Sequence, residues 1–192
     1  MTAQTLSRSR GLTNRIRNVL DNPFRRLYRS GVSAGKTVAE IGAGAGYFTI
    51  PAALIVGASS QVYAVEPDPM RVKKILMGAT KEGLENVRVI PAKAESIPEI
   101  RDGSIDLVFS FYSMHHVEGK QTALTEISRI LKPGGTFYMR DILGGTLLRH
   151  GLKMRLLDGL QSPGLLRSEM LLLGWGPLRG RRIVEMKFVK IE

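Results

Sequence analysis

Two hydrophobic periods alternate along the middle of this chain. Short apolar runs at Lys36–Ile41, Gln61–Glu66, Val87–Ile90, Ile105–Ser110 and Thr136–Arg140 have strand length and strand composition. Between them lie segments of helical spacing. One runs from Gly46 to about Val56. A second is capped by Asp68 with Pro69 at its first position, and a third, Gln121–Leu131, turns Leu124, Ile127 and Leu131 inward and stops at Pro133. Pro133-Gly134-Gly135 then turns the chain into the fifth strand. Strands alternating with helices predict an α/β fold: a Rossmann-like, doubly wound sheet, mostly parallel, with helices on both faces. Ligands are expected at the carboxyl ends of its strands.

The two ends follow a different pattern. Leu12, Ile16, Val19 and Leu20, then Phe24 and Leu27, repeat at helical spacing among arginines and are broken at Asn22-Pro23. Leu147–Leu160 mixes apolar and basic positions like a lid or acceptor helix, weakened by Gly151 and Gly159. Leu165–Leu173 reads as a further helix ended by Gly174, and only Arg182–Ile191 reads clearly as strand. One domain is expected over residues 1–192: a basic helical segment (1–30), a cofactor-binding core (31–142), then acceptor-side helices and a final strand (143–192).

The first strand enters a turn of alternating glycines, Glu40-Ile41-Gly42-Ala43-Gly44-Ala45-Gly46, and the second ends in Glu66. Glycines let a ligand approach the backbone, and a carboxylate at the next strand end accepts both hydroxyls of a ribose. The spacing is not the dinucleotide G-x-G-x-x-G, whose last glycine would fall on Tyr47 or Thr49. Glu40, just before the turn, would repel a pyrophosphate and attract an ammonium. A cofactor with adenosine at one end and an amino acid at the other fits both acids, and S-adenosylmethionine is such a molecule.

Further segments follow in order: Val65-Glu66-Pro67-Asp68, Pro91 to Glu95, Ile105 to Ser110 through His115-His116-Val117, and Leu131 to Gly135. Together with the glycine turn, they resemble the class I S-adenosylmethionine-dependent methyltransferases. Within these, the chain is most similar to the small-molecule branch that includes the ubiquinone and menaquinone C-methyltransferases. The resemblance covers about residues 30 to 142. It implies S-adenosylmethionine as cofactor and S-adenosylhomocysteine as product, with Glu40 on the methionine amino group and Glu66 on the ribose. Gly42, Gly44 and Gly46 supply close backbone, and Ala94, Glu95 and Ser110 complete the cofactor positions. It also implies a closing antiparallel strand pair, which this sequence shows as one strand short or abbreviated.

One position departs from the pattern. Where family members commonly carry an acid that receives the adenine amino group, this chain has Lys93, which only donates. Adenine would then rest on backbone groups of Ala94 and Glu95 or on the Glu95 side chain. His115 and His116 follow the fourth strand, where the acceptor is expected, and are the candidate proton acceptors. Tyr47, Tyr112 and Tyr28 are candidates to close over cofactor or acceptor. No metal site is expected, because no third ligand accompanies the two histidines.

Composition narrows the partners. The absence of cysteine excludes disulfides, thiolate catalysis and iron–sulfur clusters. No apolar stretch is long enough to span a bilayer and the basic start lacks a signal-peptide core, so a cytoplasmic protein is expected. The net charge of +11 is uneven: +6 over residues 1–30 (seven Arg, one Asp), zero over 31–139 (eleven bases, eleven acids), and +5 over 140–192 (ten bases, five acids). The excess flanks the cofactor core, on the acceptor side of this fold. The expected partner is a small-molecule acceptor, with nucleic acid and an anionic membrane surface as less favoured alternatives. An RNA methyltransferase and a non-catalytic S-adenosylmethionine-binding protein are the rival functions, and the sequence leaves the oligomeric state open.

Overall fold

The computed structural model describes residues 22–143, 164–175 and 182–191, which build a seven-stranded sheet with helices on both faces. The predicted helical stretch before Asn22 and the lid helix at Leu147–Leu160 lie outside the described residues. The elements are α1 (Pro23–Ser30), β1 (Val38–Ile41), α2 (Thr49–Val56), β2 (Val62–Val65), α3 (Pro69–Lys81), β3 (Val87–Ile90), β4 (Ile105–Phe111), α4 (Lys120–Ile130), β5 (Leu131–Leu143), β6 (Leu165–Trp175) and β7 (Arg182–Lys190). The strand order is β3-β2-β1-β4-β5-β7-β6. Neighbours from β3 to β5 pair in parallel, and β7 runs antiparallel to both β5 and β6. The chain order reverses between β1 and β4, which opens a crevice at their carboxyl ends.

Local chemistry sets the boundaries. Asn22 caps α1 by accepting the Phe24 N–H at 2.9 Å, and Asp68 caps α3 by accepting the Met70 N–H at 2.8 Å, each with proline at the first helical position. α2 begins at Thr49, later than the predicted Gly46. Gly42, Gly44 and Gly46 all have positive φ (74°, 58° and 85°), so the glycine segment stays a turn and cannot join a right-handed helix. Pro133-Gly134-Gly135 lies inside β5 as an irregularity: Leu131 pairs with Ile105 and Thr136 with Leu107.

The Leu165–Leu173 segment is a strand, contrary to the helix its composition predicts. It pairs with β7 along Leu165↔Lys190 to Trp175↔Arg182, which completes the closing antiparallel pair that the sequence left one strand short. Leucine, methionine and glutamate favour helix only weakly, whereas an unpaired flank on β7 would leave a row of backbone donors and acceptors unsatisfied. The register shifts between Arg167 and Glu169 and again between Leu173 and Trp175, so Gly174 marks a bulge instead of a helix end.

Each face of the sheet buries its own core. Leu27 of α1 and Ala52, Ala53 and Val56 of α2 pack on Val38, Val62, Leu107 and Phe109. Ile75 of α3 packs on Ala64 of the same face. Opposite them, Ala123, Leu124, Ile127 and Ile130 of α4 cover Ala39, Val108, Phe137 and Phe188, joined by Ile97 and Ile100 from the β3–β4 connection. The β5–β7 pairing is fastened by Arg140 and Glu185, directly opposite in register and ion-paired. Arg29 reaches the same carboxylate at 3.3 Å and ties α1 to the sheet.

The β3–β4 connection contains no helix, and Arg129 of α4 braces it. Its guanidinium donates to the carbonyls of Ile97 and Ile100 at 2.9 Å each and forks onto Glu126, which accepts the Ile97 N–H at 3.0 Å. The arginine holds the Glu126 carboxyl below its usual range. Arg129→Ala is expected to lower unfolding free energy by about 2–4 kcal/mol in denaturant titration, because two buried carbonyls and a carboxylate lose their donor. Arg129→Lys should recover less than half of that loss, since one ammonium cannot reproduce the fork.

Candidate functional site

The carboxyl ends of β1, β2 and β4 surround a cavity of about 760 Å³. Glu40, Gly42, Gly44, Glu66, Ala94 and Glu95 all line it, so most of the predicted cofactor positions meet in one place. Lys93, Tyr47, Tyr112, Ser113 and His116 also face it. A smaller hollow of about 260 Å³ lies between α1 and the β5–β7 pair, lined by Arg29, Tyr138 and Glu185.

The three glycines do different work. A Cβ on Gly42 would stand 2.3 Å from the Cβ of Ser113, so this glycine admits the loop that follows β4. Gly44 has nothing within 4 Å of the same position, and its φ of 58° turns its N–H onto Glu66 at 2.7 Å. Gly46 is not in the cavity wall; it sits against Ile75 of α3, with a Cβ contact of 3.4 Å.

The two acids differ in environment. Glu66 is buried and anchored at both oxygens, by Gly44 N–H on Oε2 and by Asp68 N–H at 3.0 Å on Oε1. Glu40 is buried on β1, and one oxygen accepts the hydroxyl of Thr49, the first residue of α2. Burial pushes the Glu40 carboxyl up to about 8; the Thr49 hydrogen bond opposes this and the neighbouring Glu66 charge adds to it.

The wall opposite is built by the end of β4. Ser113 donates to the Ile41 carbonyl at 2.7 Å and shares a 2.6 Å hydrogen bond with Ser110. Ser110 is buried behind Ser113 and does not face the cavity, so its place is to support the wall. Tyr112 holds a left-handed φ of 58°, costly for a side chain with a Cβ. Arg140 secures it twice, accepting the Tyr112 N–H at its carbonyl (2.8 Å) and donating Nε to the phenol oxygen (2.8 Å).

The two histidines separate in role. His116 lines the cavity and His115 does not. His115 instead meets Asp141 of β5, with its N–H on Oδ2 at 2.8 Å and Nδ1 against Oδ1 at 2.6 Å. The two imidazoles lie 3.9 Å apart between ring centres. Asp141, Ser113 and Thr49 escape sequence reading, being single polar residues without periodicity or motif. Glu95 accepts the Gly119 N–H at 3.0 Å, which fixes its side chain at the cavity edge. Tyr28 is exposed and away from the cavity. Among the described residues no group of three or more His, Asp or Glu is arranged for a metal ion.

Comparisons with known proteins agree with this geometry. The family model for the methyltransferase domain matches residues 39–139. A ubiquinone/menaquinone biosynthesis C-methyltransferase of Marinomonas sp. (strain MWYL1) is 32% identical over 110 residues, 57% of this chain and 43% of that protein. An uncharacterized methyltransferase of Bacillus subtilis (strain 168) is 33% identical over 104 residues, 54% of this chain and 40% of that protein. The chain spans less than half the length of either curated relative. A S-adenosylmethionine-dependent methyltransferase from Aquifex aeolicus shares the fold with a TM-score of 0.74 at 22% identity, covering 96% of this chain and 98% of that one. With the family model reaching the glycine turn, both acids and all five parallel strands, the chain belongs to the methyltransferase domain family.

Proposed function

We propose that this chain transfers the methyl group of S-adenosylmethionine to a small-molecule acceptor held at the His116 side of the cavity. The observation that carries this reading is that Glu40, the open backbone over Gly44 and Glu66 share one cavity with His116. The donor set fits the cofactor: one carboxylate for an ammonium, one for a ribose, and glycine backbone between them. The similarity to a quinone C-methyltransferase supports a small acceptor.

The cofactor supplies an electrophilic methyl group on a sulfonium; the chain supplies alignment, dryness and a sink for the acceptor's proton. Glu66 has a lone pair left on each anchored oxygen for ribose hydroxyls. Glu40 meets the amino group, and Ala94 and Glu95 border the adenine. Ser113, held by Ser110 and Ile41, and Tyr112, held by Arg140, keep the acceptor wall in place. His116 takes the proton, while Asp141 orients His115 against it.

Calorimetry is expected to show S-adenosylhomocysteine binding and no heat with NAD. Glu66→Ala should cost about 1–3 kcal/mol of that binding, because two hydroxyls lose a charged acceptor.

Glu40 makes binding depend on pH. With its carboxyl near 8, the free protein holds a proton at neutral pH that an ammonium ligand must displace. Affinity should therefore rise with pH, by up to about tenfold per unit below 8, and level off above it. The binding enthalpy at pH 7 should vary with the ionisation enthalpy of the buffer, and Glu40→Gln should abolish that variation.

His116→Ala is expected to lower kcat by about 10²–10⁴ while leaving S-adenosylhomocysteine affinity within twofold or so. Asp141→Asn should lower kcat less and shift the kcat pH profile, as a residue acting through His115 would. An equal fall in cofactor affinity for His116→Ala would place that histidine on the cofactor instead.

A further inference from the structure

The outer surface of one helix layer differs from the rest of the molecule. Seven large hydrophobic side chains are exposed among the described residues, and six of them, Phe24, Tyr28, Leu54, Met70, Leu76 and Met77, stand on α1, α2 and α3. These helices lie on the same sheet face, with α2 packed between the other two. Between their first and last residues the same helices carry seven bases and no acid; Arg29 pairs with Glu185 and Arg71 with the capping Asp68, and among the described residues the free outward charge lies on Arg25, Lys73, Lys74 and Lys81, with Glu82 closing α3. α4, on the opposite face, exposes no large hydrophobic residue and carries two bases against one acid.

On α3 the two properties interleave. Met70 and Met77, 67% and 62% exposed, are two turns apart on one side of the helix, and Lys73, Lys74 and Lys81 flank them, also exposed. Ile75 and Ala79 point the other way, into the sheet. α3 is therefore amphipathic twice over: one side packs on the core, and the outward side is itself apolar with a basic margin. A solvent-facing helix gains nothing from exposed methionines at this spacing, and a purely electrostatic surface has no use for them. Apolar side chains that can enter an acyl boundary, beside Lys73, Lys74 and Lys81 at headgroup level and with acids only at the two ends of the helix, Asp68 and Glu82, match the surface of a negatively charged bilayer.

We propose that the α1–α3 layer, centred on α3, is a docking surface for anionic lipid membranes, bound peripherally. No helix among the described residues is long and apolar enough to cross a membrane. Docking does not depend on which acceptor the cavity takes.

The test is cosedimentation of the full chain with phosphatidylcholine vesicles, with and without phosphatidylglycerol, at two salt concentrations. Binding is expected only with phosphatidylglycerol and should weaken as salt rises. Lys73→Glu with Lys74→Glu should reduce partitioning by at least about tenfold, and Met70→Ser with Met77→Ser by about fivefold or more. Arg101→Glu, exposed outside this layer, should change it by less than about twofold. Unchanged thermal unfolding and S-adenosylhomocysteine affinity would show that the α3 variants are folded. The proposal is overturned if the chain ignores phosphatidylglycerol vesicles or binds neutral ones equally. It is equally overturned if the lysine variant binds as the parent does. Loss with the lysine variant but none with the methionine variant, together with comparable binding to single-stranded RNA, would make the layer a general polyanion surface and also refute it.

Discussion

The cavity at the carboxyl ends of the strands depends on how closely the end of β4 can approach the end of β1. The Ser113 hydroxyl reaches the Ile41 carbonyl at 2.7 Å, across a position where any side chain on Gly42 would collide with it. This contact joins residues 72 apart in sequence at the point where the strand order reverses. From it follow the separation of the cavity walls, the turn that carries Tyr112 and the placement of His116. Ser110 and Arg140 add support from behind, so the wall is held by hydrogen bonds to β1 and β5 more than by its own loop.

The floor is governed by the burial of two acids. Two carboxylates share the cavity, and their burial would be costly if both stayed ionised without donors. The chain resolves this unequally. Glu66 receives two backbone N–H groups, while Glu40 has the Thr49 hydroxyl and is held largely protonated at neutral pH. Before any ligand arrives the Glu66 end is thus already fixed by its backbone donors, whereas Glu40 must give up its proton before it can pair with a positively charged group.

The parallel core was legible because β1, β2 and β4 are largely buried on both faces and read as short apolar runs, and because Asp68-Pro69 announces a helix in chemistry that tertiary contacts do not override. The glycine turn and both acids were legible as a spacing. The separate task of each glycine was not, since the demand on Gly42 is made by a serine far along the chain. β6 was misread because Leu165–Leu173 consists of good helix formers, and only the flank of β7 makes strand the better choice. Ser113, Asp141 and Arg129 act through geometry alone, and an isolated polar residue carries no period from which to infer it.

The position of β7 has a consequence for how the molecule is made. It is synthesised after β6 yet sits inside it, so neither the outer flank of β5 nor the inner flank of β6 can close until β7 arrives. The strands from β3 to β5 and their helices can assemble on the nascent chain in order of emergence, whereas the last two strands must enter together as a hairpin. During that interval the flank of β5 that β7 will cover, Thr136–Leu143, is an unpaired edge of eight residues. Arg140 lies along that flank with Glu185 opposite it only once β7 is in place, and a charge without its partner on an open edge disfavours pairing with another chain.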